Sequence, residues 1–452
     1  MKTYQDWLKI ADRSEMDRMS FIKQLINEHK ASPEYRQAVD AENYFAGQNT
    51  TIKRYEKVLF NALGEAVPDY FSANHKVATR FFYRDVMQAN STLLGNGISW
   101  KNGIGGEALG ADFDRKIIKA GRNAQVGGVC FGFYNNNKVE IYKITEFAPL
   151  YDEEDGALKA GVRFWQVDPQ KPLRATMFEM DGYTEYLWDK DHAEGMVKSP
   201  KRAYIVVKQT TQAFGDEIYE FRNYPTFPVC PCWSNERKQS ELVPIKATID
   251  AFDLINAGYC NQVDDASLVY WTITNAGGMS DYDLVQFLDK MRKLHASQTD
   301  ADQTVTPTTV DVPYESREAI LDRLEKQLYS DAMALNVTDI ASGAVTATQI
   351  EASYEPLNEK LDGFEAEISD FIARLLAVAG VADEPTYTRS IIVNKAEEIQ
   401  SVVNSALYLD DEYVTEKIMT ILGDKDKIDD ALDIKASIDV QRMTGGSGGE
   451  EA

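Results

Sequence analysis

Between Ser240 and Ala379 the chain carries three long runs of apolar residues at helical spacing, and little else of its length is so constrained. In the first run Leu242, Ile245, Ile249, Phe252, Ile255, Tyr259 and Val263 recur in steps of three and four, which places them on one helix face. Ser240 has the side chain of a helix N-cap, and Pro244 sits in the first turn, where a missing N–H costs little. Continued to Ala266, such a helix is ~40 Å long at ~1.5 Å per residue. The second run begins after Pro313 with Ile320/Leu321, Leu324, Leu328, Ala332 and Leu335. Asn336–Ala344 is small and polar with no stripe, so it reads as a loop. The third run is Ile350, Tyr354, Leu357, Leu361, Phe364, Ile368, Ile372 and Leu375, with Pro356 inside it, where a kink is expected. Long helices with a single apolar stripe, followed by a small-residue loop, call for burial against something else. Further copies of the same chain in a symmetric ring would supply it.

Composition narrows the function classes. The chain has 452 residues, 44% hydrophobic and 27% charged, which suits a folded protein of several domains. No apolar run approaches the length of a membrane span; the longest, near residues 371–382, contains Arg374. The N-terminus does not read as a signal peptide. Four cysteines (Cys130, Cys230, Cys232, Cys260) lack zinc spacing and are expected to be buried, reduced thiols. The four histidines, at 29, 75, 192 and 295, form no spaced pair, so neither a metal centre nor a cofactor is expected, and no catalytic residues are assigned. A formal net charge of −24 excludes a protein that wraps nucleic acid through clustered phosphate contacts. It suits one past which a duplex slides.

Residues 1–60 read as helices with a turn at Ala46-Gly47-Gln48-Asn49-Thr50, and a further helix runs through Val86, Ala89 and Leu93/Leu94 to Gly95-Asn96-Gly97. Gly103–Gly110 lacks the Lys-Ser/Thr end of a phosphate loop and reads as a flexible connector before a helix around 112–121. Eight β-type runs follow: 127–134, 139–144, 147–151, 162–167, 175–180, 184–188, 204–208 and 219–222. Turn groups such as Asn135-Asn136-Asn137 and Asp181-Gly182 separate them, which predicts one antiparallel meander. Asp152-Glu153-Glu154-Asp155-Gly156 lacks calcium-loop spacing and reads as a solvated hairpin turn. Between the first two long helices, a strand (269–274), an amphipathic helix (280–295) and a second strand (304–312) predict a small α/β insert. One more strand (386–393), three short helices (396–409, 412–422, 427–441) and a Gly-rich acidic tail close the sequence.

With these elements in order, the chain resembles the portal proteins of tailed bacteriophages, in the branch with long non-contractile tails. The resemblance rests on Asn43-Tyr44-Phe45-Ala46-Gly47-Gln48-Asn49, on Asn74-His75-Lys76 with Phe81, and on Leu93-Leu94-Gly95-Asn96-Gly97-Ile98, where Gly97 replaces the usual proline. It continues through Phe147–Asp152 with Gly161–Trp165, through Glu241-Leu242-Val243-Pro244-Ile245-Lys246 with Ile249–Asp253, and through Gly343 with Thr346–Tyr354. It implies an α+β portal architecture with wing, stem, clip and crown, assembled as a ring. The wing would be 1–239, the first stem helix 240–266, the clip 267–312 and the second stem helix 313–334. The tunnel loop would be 335–345, a long kinked helix and return strand to the wing 346–395, the crown helices 396–441, and a flexible acidic tail 442–452. A homo-dodecamer would pass double-stranded DNA, without sequence specificity, through its axial channel during packaging and ejection. It would dock the large terminase subunit, then a head-completion or adaptor protein, alongside major capsid and scaffolding proteins.

The same resemblance implies a non-enzymatic virion protein at the capsid vertex, made in the host cytoplasm and without a membrane partner. The tunnel loop would meet DNA through Asn336, Thr338, Asp339 and Ser342. Asp264, Asp265, Glu318, Asp322 and Glu325 would line the stem channel, and Tyr270, Trp271, Asp281, Tyr282 and Lys290 would dock clip partners. The alternative is another oligomeric phage ring, a baseplate or connector component.

Overall fold

The computed structural model describes residues 2–60, 65–68, 74–210, 217–266, 270–274, 280, 282–283, 285–287, 304–308, 314–338, 347–390, 395–406, 408–422, 428, 432 and 434. The chain divides into a larger unit, 1–334 with 361–388, and a smaller one, 335–360 with 389–452.

The larger unit opens with four helices: α1 (Tyr4–Ala11), α2 (Glu15–Ala31), α3 (Pro33–Phe45) and α4 (Thr50–Arg54). Each start is fixed by a side-chain oxygen that takes an otherwise orphaned backbone N–H: Thr3, Ser14, Ser32 and Asn49 cap them in turn. A short hairpin of β1 (Val58–Phe60) and β2 (Ala66–Pro68) follows, a pair the sequence reading did not anticipate. Then come α5 (Phe81–Leu94), β3 (Ile98–Trp100), α6 (Gly105–Leu109) and α7 (Phe113–Gly127).

The expected flexible connector at Gly103–Gly110 is a correction. It contains α6, whose start is held by Asp383: the carboxylate accepts from the backbone N–H of Asn102 (2.9 Å), Ile104 (3.0 Å) and Gly105 (2.8 Å). The bare Cα of Gly105 lies against the Trp100 ring, and a Cβ built there would sit 2.2 Å from it. Glycine is thus required here for close approach rather than for mobility.

The single meander is also a correction. Strands β6 (Phe147–Tyr151), β7 (Leu158–Trp165), β8 (Leu173–Glu179), β9 (Gly182–Trp188) and β10 (Met196–Arg202) form one five-stranded antiparallel meander. A separate three-stranded sheet has the order β13 (Val229–Trp233), β4 (Val129–Tyr134), β5 (Val139–Lys143). Between them in sequence, β11 (Ile205–Thr210) and β12 (Glu217–Arg222) pair as a two-stranded ribbon. β10 and β13 are not among the expected strands, and each contains a proline, Pro200 and Pro231. Both are edge strands, where a missing ladder N–H is tolerated, and β10 has register shifts on either side of Ser199.

One core lies where α1 and α2 cover the five-stranded sheet, with Trp7, Phe21, Ile22 and Leu25 against Leu150, Val162, Met177 and Trp188. The Asp152 turn belongs to this contact. Asp152 is buried, not solvated as expected: it accepts from Gln5 of α1 (2.8 Å), from the Glu154 backbone N–H (2.8 Å) and from Lys159 (2.6 Å). Of the cysteines, Cys130, Cys230 and Cys232 are free and buried as expected, whereas Cys260 is only partly buried.

Two long helices follow β13: α8 (Leu242–Ala266) and α9 (Tyr314–Asp331). Between them β14 (Tyr270–Thr274) and β15 (Thr304–Thr308) pair antiparallel. The longest helix, α10 (Ala347–Ala379), runs through Pro356 without a break in its bounds. Its Phe364 lies near Gly121 of α7 and its Phe371 against Gly132 of β4, where glycine leaves room for the rings. β16 (Pro385–Tyr387) pairs with β3. In the smaller unit, α11 (Lys395–Ser405) and α12 (Asp411–Leu422) match the first two expected terminal helices, and the third, 427–441, lies almost wholly outside the described residues.

Candidate functional site

The site with most chemistry in it is built on α8 and α9. The two helices pack against each other, and Leu242, Ile245, Ile249 and Leu328 enter a second core with Tyr44, Phe81, Phe82 and Val86 from α3 and α5. The apolar stripe is therefore buried at its N-terminal end. Farther along α8 the stripe residue Val263 is 52% exposed, and Leu254, off the stripe on α8, and Ile320 of α9 are exposed as well. That leaves α8 and α9 with apolar surface that the described residues do not cover.

A polar cluster fixes where α8 leaves the body. Lys246, Asp250 and Asp253 follow at steps of four and three, so they share one face of α8. That face meets the turn after α3. The Tyr44 hydroxyl donates to Asp250, and Thr51 donates to the second Asp250 oxygen at 2.9 Å. Lys246 donates to Tyr44 (3.0 Å), Thr51 (3.1 Å) and Asp250 (2.9 Å). Asn49, the cap of α4, receives the backbone N–H of Thr51 and Ile52 on its oxygen and gives its amide to Asp253 at 2.9 Å. The other Asp253 oxygen takes the backbone N–H of Thr79 at 2.7 Å. Three chain segments, the α3–α4 turn, the lead-in to α5 and α8, thus converge on two carboxylates.

The electrostatics of the two aspartates diverge. Burial pushes Asp250 up, but the hydrogen bonds from Tyr44, Lys246 and Thr51 outweigh it and hold the carboxyl below its usual range. Burial pushes Asp253 up to about 6, and its bonds from Asn49 and Thr79 only partly offset this. Asp253 is the more deeply buried of the two, has only neutral donors and feels the Asp250 charge, whereas Asp250 has a cation beside it.

Of the residues singled out from sequence, Glu318, Asp322 and Glu325 are exposed on α9. With Glu315 they recur in steps of three, four and three, which keeps the four within a ~80° arc of the helix. The Asp264 carboxylate lies 3.3 Å from His75 Nε2, beside the bond from the His75 backbone N–H to Asn261 (2.6 Å). The side chain of Asp265 lies outside the described residues. Asn336 accepts the backbone N–H of Thr338 at 3.1 Å, a local turn, while Asp339 and Ser342 lie outside the described residues. Tyr270 and Trp271 stand in β14 opposite Thr308 and Pro307. Tyr282 is 69% exposed, and Asp281 and Lys290 lie outside the described residues. Among the described residues no group of three His, Cys, Asp or Glu could hold a metal ion, and no helix is long and apolar enough to cross a membrane.

The cluster of Tyr44, Asn49, Thr51, Lys246, Asp250 and Asp253 was not assigned as a unit from sequence. Two of the segments that carry the family resemblance, 43–49 and 241–253, touch here, with Thr51 beside the first. Residues 22–441 match the family model described as phage portal protein, SPP1 Gp6-like. The chain belongs to the phage portal protein family. The portal protein of Clostridium phage phiCD119 is 23% identical over 255 residues, covering 50% of this chain and 55% of that protein. The match thus spans about half the length of that relative. The portal protein of Bacillus phage SPP1 is 26% identical over 422 residues, 85% of this chain and 79% of that one. Among solved structures, the neck of a native gene transfer agent particle, computed with C12 symmetry, aligns with a TM-score of 0.44 at 12% identity, over 75% of this chain and 89% of that one. A chain of the gene transfer agent virion aligns at 0.43 and 12%, over 76% and 90%. Membership in a portal family places the protein among the structural components of phage particles.

Proposed function

We propose that the protein closes into a homo-dodecameric ring whose axial channel passes double-stranded DNA during genome packaging and ejection. The family match over residues 22–441 carries this reading. In it, 1–239 form the wing, α8 and α9 the stem, 267–312 the clip, 335–345 the tunnel loop and 396–441 the crown, with the long helix returning to the wing through 346–395. The ring docks the large terminase subunit and later a head-completion or adaptor protein, and it has no catalytic role of its own.

Two features support the stem assignment. The uncovered apolar residues Leu254, Val263 and Ile320 provide surface for a neighbouring copy. The aligned Glu318, Asp322 and Glu325 provide a wall that repels phosphate. Duplex DNA carries one charge per ~1.7 Å of axis, so an acidic lining disfavours sticking and permits sliding. A twelve-fold ring holds no fixed register with a helical duplex, which leaves no role for base readout. Asp264 and Asp265 complete the lining in this reading, and the tunnel loop meets DNA through Asn336, Thr338 and Ser342, with Asp339 its one ionisable side chain.

The test is packaging in a reconstituted system with Asp339→Lys. Added phosphate attraction at the loop should slow or stall DNA entry while rings still form; packaging at the parental rate contradicts a loop that approaches DNA. A baseplate component would instead fail to co-purify with a packaging ATPase.

A further inference from the structure

The stretch that joins α5 to α6 holds both Asn-Gly pairs of the sequence, Asn96-Gly97 and Asn102-Gly103. Asparagine is a thermolabile residue, and it is most labile before glycine. A glycine has no Cβ, so its backbone nitrogen reaches the side-chain carbonyl carbon of the preceding residue unhindered. The fold treats the two pairs differently. Asn96 gives its side-chain amide to the Thr388 carbonyl oxygen at 3.0 Å, and Gly97 gives its N–H to the Leu94 carbonyl oxygen at 3.1 Å. A Cβ built on Gly97 would sit 3.0 Å from the Asp114 carboxylate, which also accepts the Ile98 N–H at 3.3 Å. Both reacting groups of that pair are tied, and the space beside them is taken.

Asn102 and Gly103 are both exposed. Asp383 accepts the backbone N–H of Asn102, Ile104 and Gly105 and passes over that of Gly103. Among the described residues, nothing bonds to the Gly103 N–H or to the Asn102 side-chain amide. Gly103 stands at φ +74°, and a Cβ built on it would meet nothing within 4 Å. Nucleophile and electrophile are adjacent, solvated and free to turn toward each other.

We propose that Asn102 is a site of spontaneous deamidation, and that of the two Asn-Gly pairs it is the one that reacts in the folded protein. The Gly103 nitrogen gives its proton to water and attacks the Asn102 side-chain carbonyl carbon. A C–N bond forms, the amide nitrogen leaves as ammonia, and a cyclic succinimide remains. Water opens that ring at either carbonyl, which yields aspartate or isoaspartate, so water is the sole co-reactant. The product bears on the clamp at α6. The new carboxylate stands beside Asp383, which accepts from residue 102's own N–H, and near Glu384, which Lys101 holds at 2.6 Å. Like charges at that distance repel. Isoaspartate also adds a carbon to the main chain between N–H groups that the Asp383 carboxylate gathers. Deamidation therefore loosens the start of α6. The site does not depend on the portal reading.

The experiment ages full-length protein at mildly alkaline pH, folded and in parallel in urea, and follows each Asn-Gly peptide by mass spectrometry. In the folded protein Asn102 should convert at least ~10-fold faster than Asn96, the factor set by breaking the two hydrogen bonds at 96–97. In urea the two pairs, each followed by isoleucine, should react at similar rates. An Asn102 that stays intact in the folded protein overturns the proposal, and so does native conversion of Asn96 at the same rate. Trp100, whose ring lies against Gly105 of α6, reports the consequence. Tryptophan fluorescence should change on ageing of the parent and not of Asn102→Gln; equal behaviour of the two would contradict a loosened clamp.

Discussion

Tyr44, at the end of α3, donates its hydroxyl to Asp250 in the third turn of α8, 206 positions along the chain. The same hydroxyl touches Asn49 (2.9 Å) and receives a bond from Lys246 (3.0 Å), so one phenol links a turn, a cap and the root of a long helix. Tyr44→Phe keeps the ring in its core and removes only those bonds. The expected cost is about 1–3 kcal/mol, because Asn49 is buried and Asp250 partly buried while each loses a partner. Chemical denaturation of the variant checks it, and a cost below ~0.5 kcal/mol would mean that the cluster is ornamental to stability.

Asp253 gives the cluster a proton dependence. Its folded carboxyl titrates at about 6, above the unfolded value of 3.8, so the native state binds the proton more tightly. The sign follows: this locus contributes stability below the unfolded value, loses it as pH rises through about 6, and stays level above. The loss is of order 1–2 kcal/mol after allowance for solvent screening. Asp253→Asn removes the titrating group. Stability curves between pH 4 and 8 should differ by up to roughly one proton of linkage between parent and variant; parallel curves contradict the assignment.

Gly105 tests the corrected reading of the glycine-rich stretch. A flexible connector would accept Gly105→Ala without cost, and a solvated alanine would even stiffen the chain. Because a Cβ there meets the Trp100 ring at 2.2 Å, the substitution must displace the ring or the start of α6. A loss of about 1–3 kcal/mol in a melt is expected, with altered Trp100 fluorescence.

The acids of α9 are tested by reversal. Glu318, Asp322 and Glu325 are exposed and aligned. Replacing all three by lysine adds phosphate contacts to the proposed channel wall. Affinity for duplex DNA should rise, with a salt dependence steeper by ~0.9 in log–log slope for each phosphate neutralised. Translocation should slow accordingly. Unchanged DNA binding by an intact assembly would place these acids away from the duplex.

What the sequence made legible follows from periodicity and what it concealed follows from tertiary contact. The stripes of α8 and α9 were plain because Leu242, Ile245, Ile249 and Leu328 serve one buried face. The strands β10 and β13 were obscured by Pro200 and Pro231, which read as breakers until an edge position explains them. Gly105 read as looseness because its reason, the Trp100 ring, lies across a turn. Asp152 read as a solvated turn because its partner Gln5 is 147 positions away. The Tyr44–Asp250 cluster had a signal in sequence, an Asn and Tyr in one motif and a Lys and two Asp on one helix face in another. Nothing in either segment alone says that they meet.

The central claim is that copies of this chain close into a ring around DNA, and cryo-electron microscopy of the purified full-length protein tests it most directly, with particle symmetry counted from class averages. The account predicts closed rings of about twelve subunits with a central hole wide enough for a duplex, about 20 Å, and with α8 and α9 walling it. A monomer or dimer that persists at high concentration would contradict it, and would leave Leu254, Val263 and Ile320 exposed without a partner.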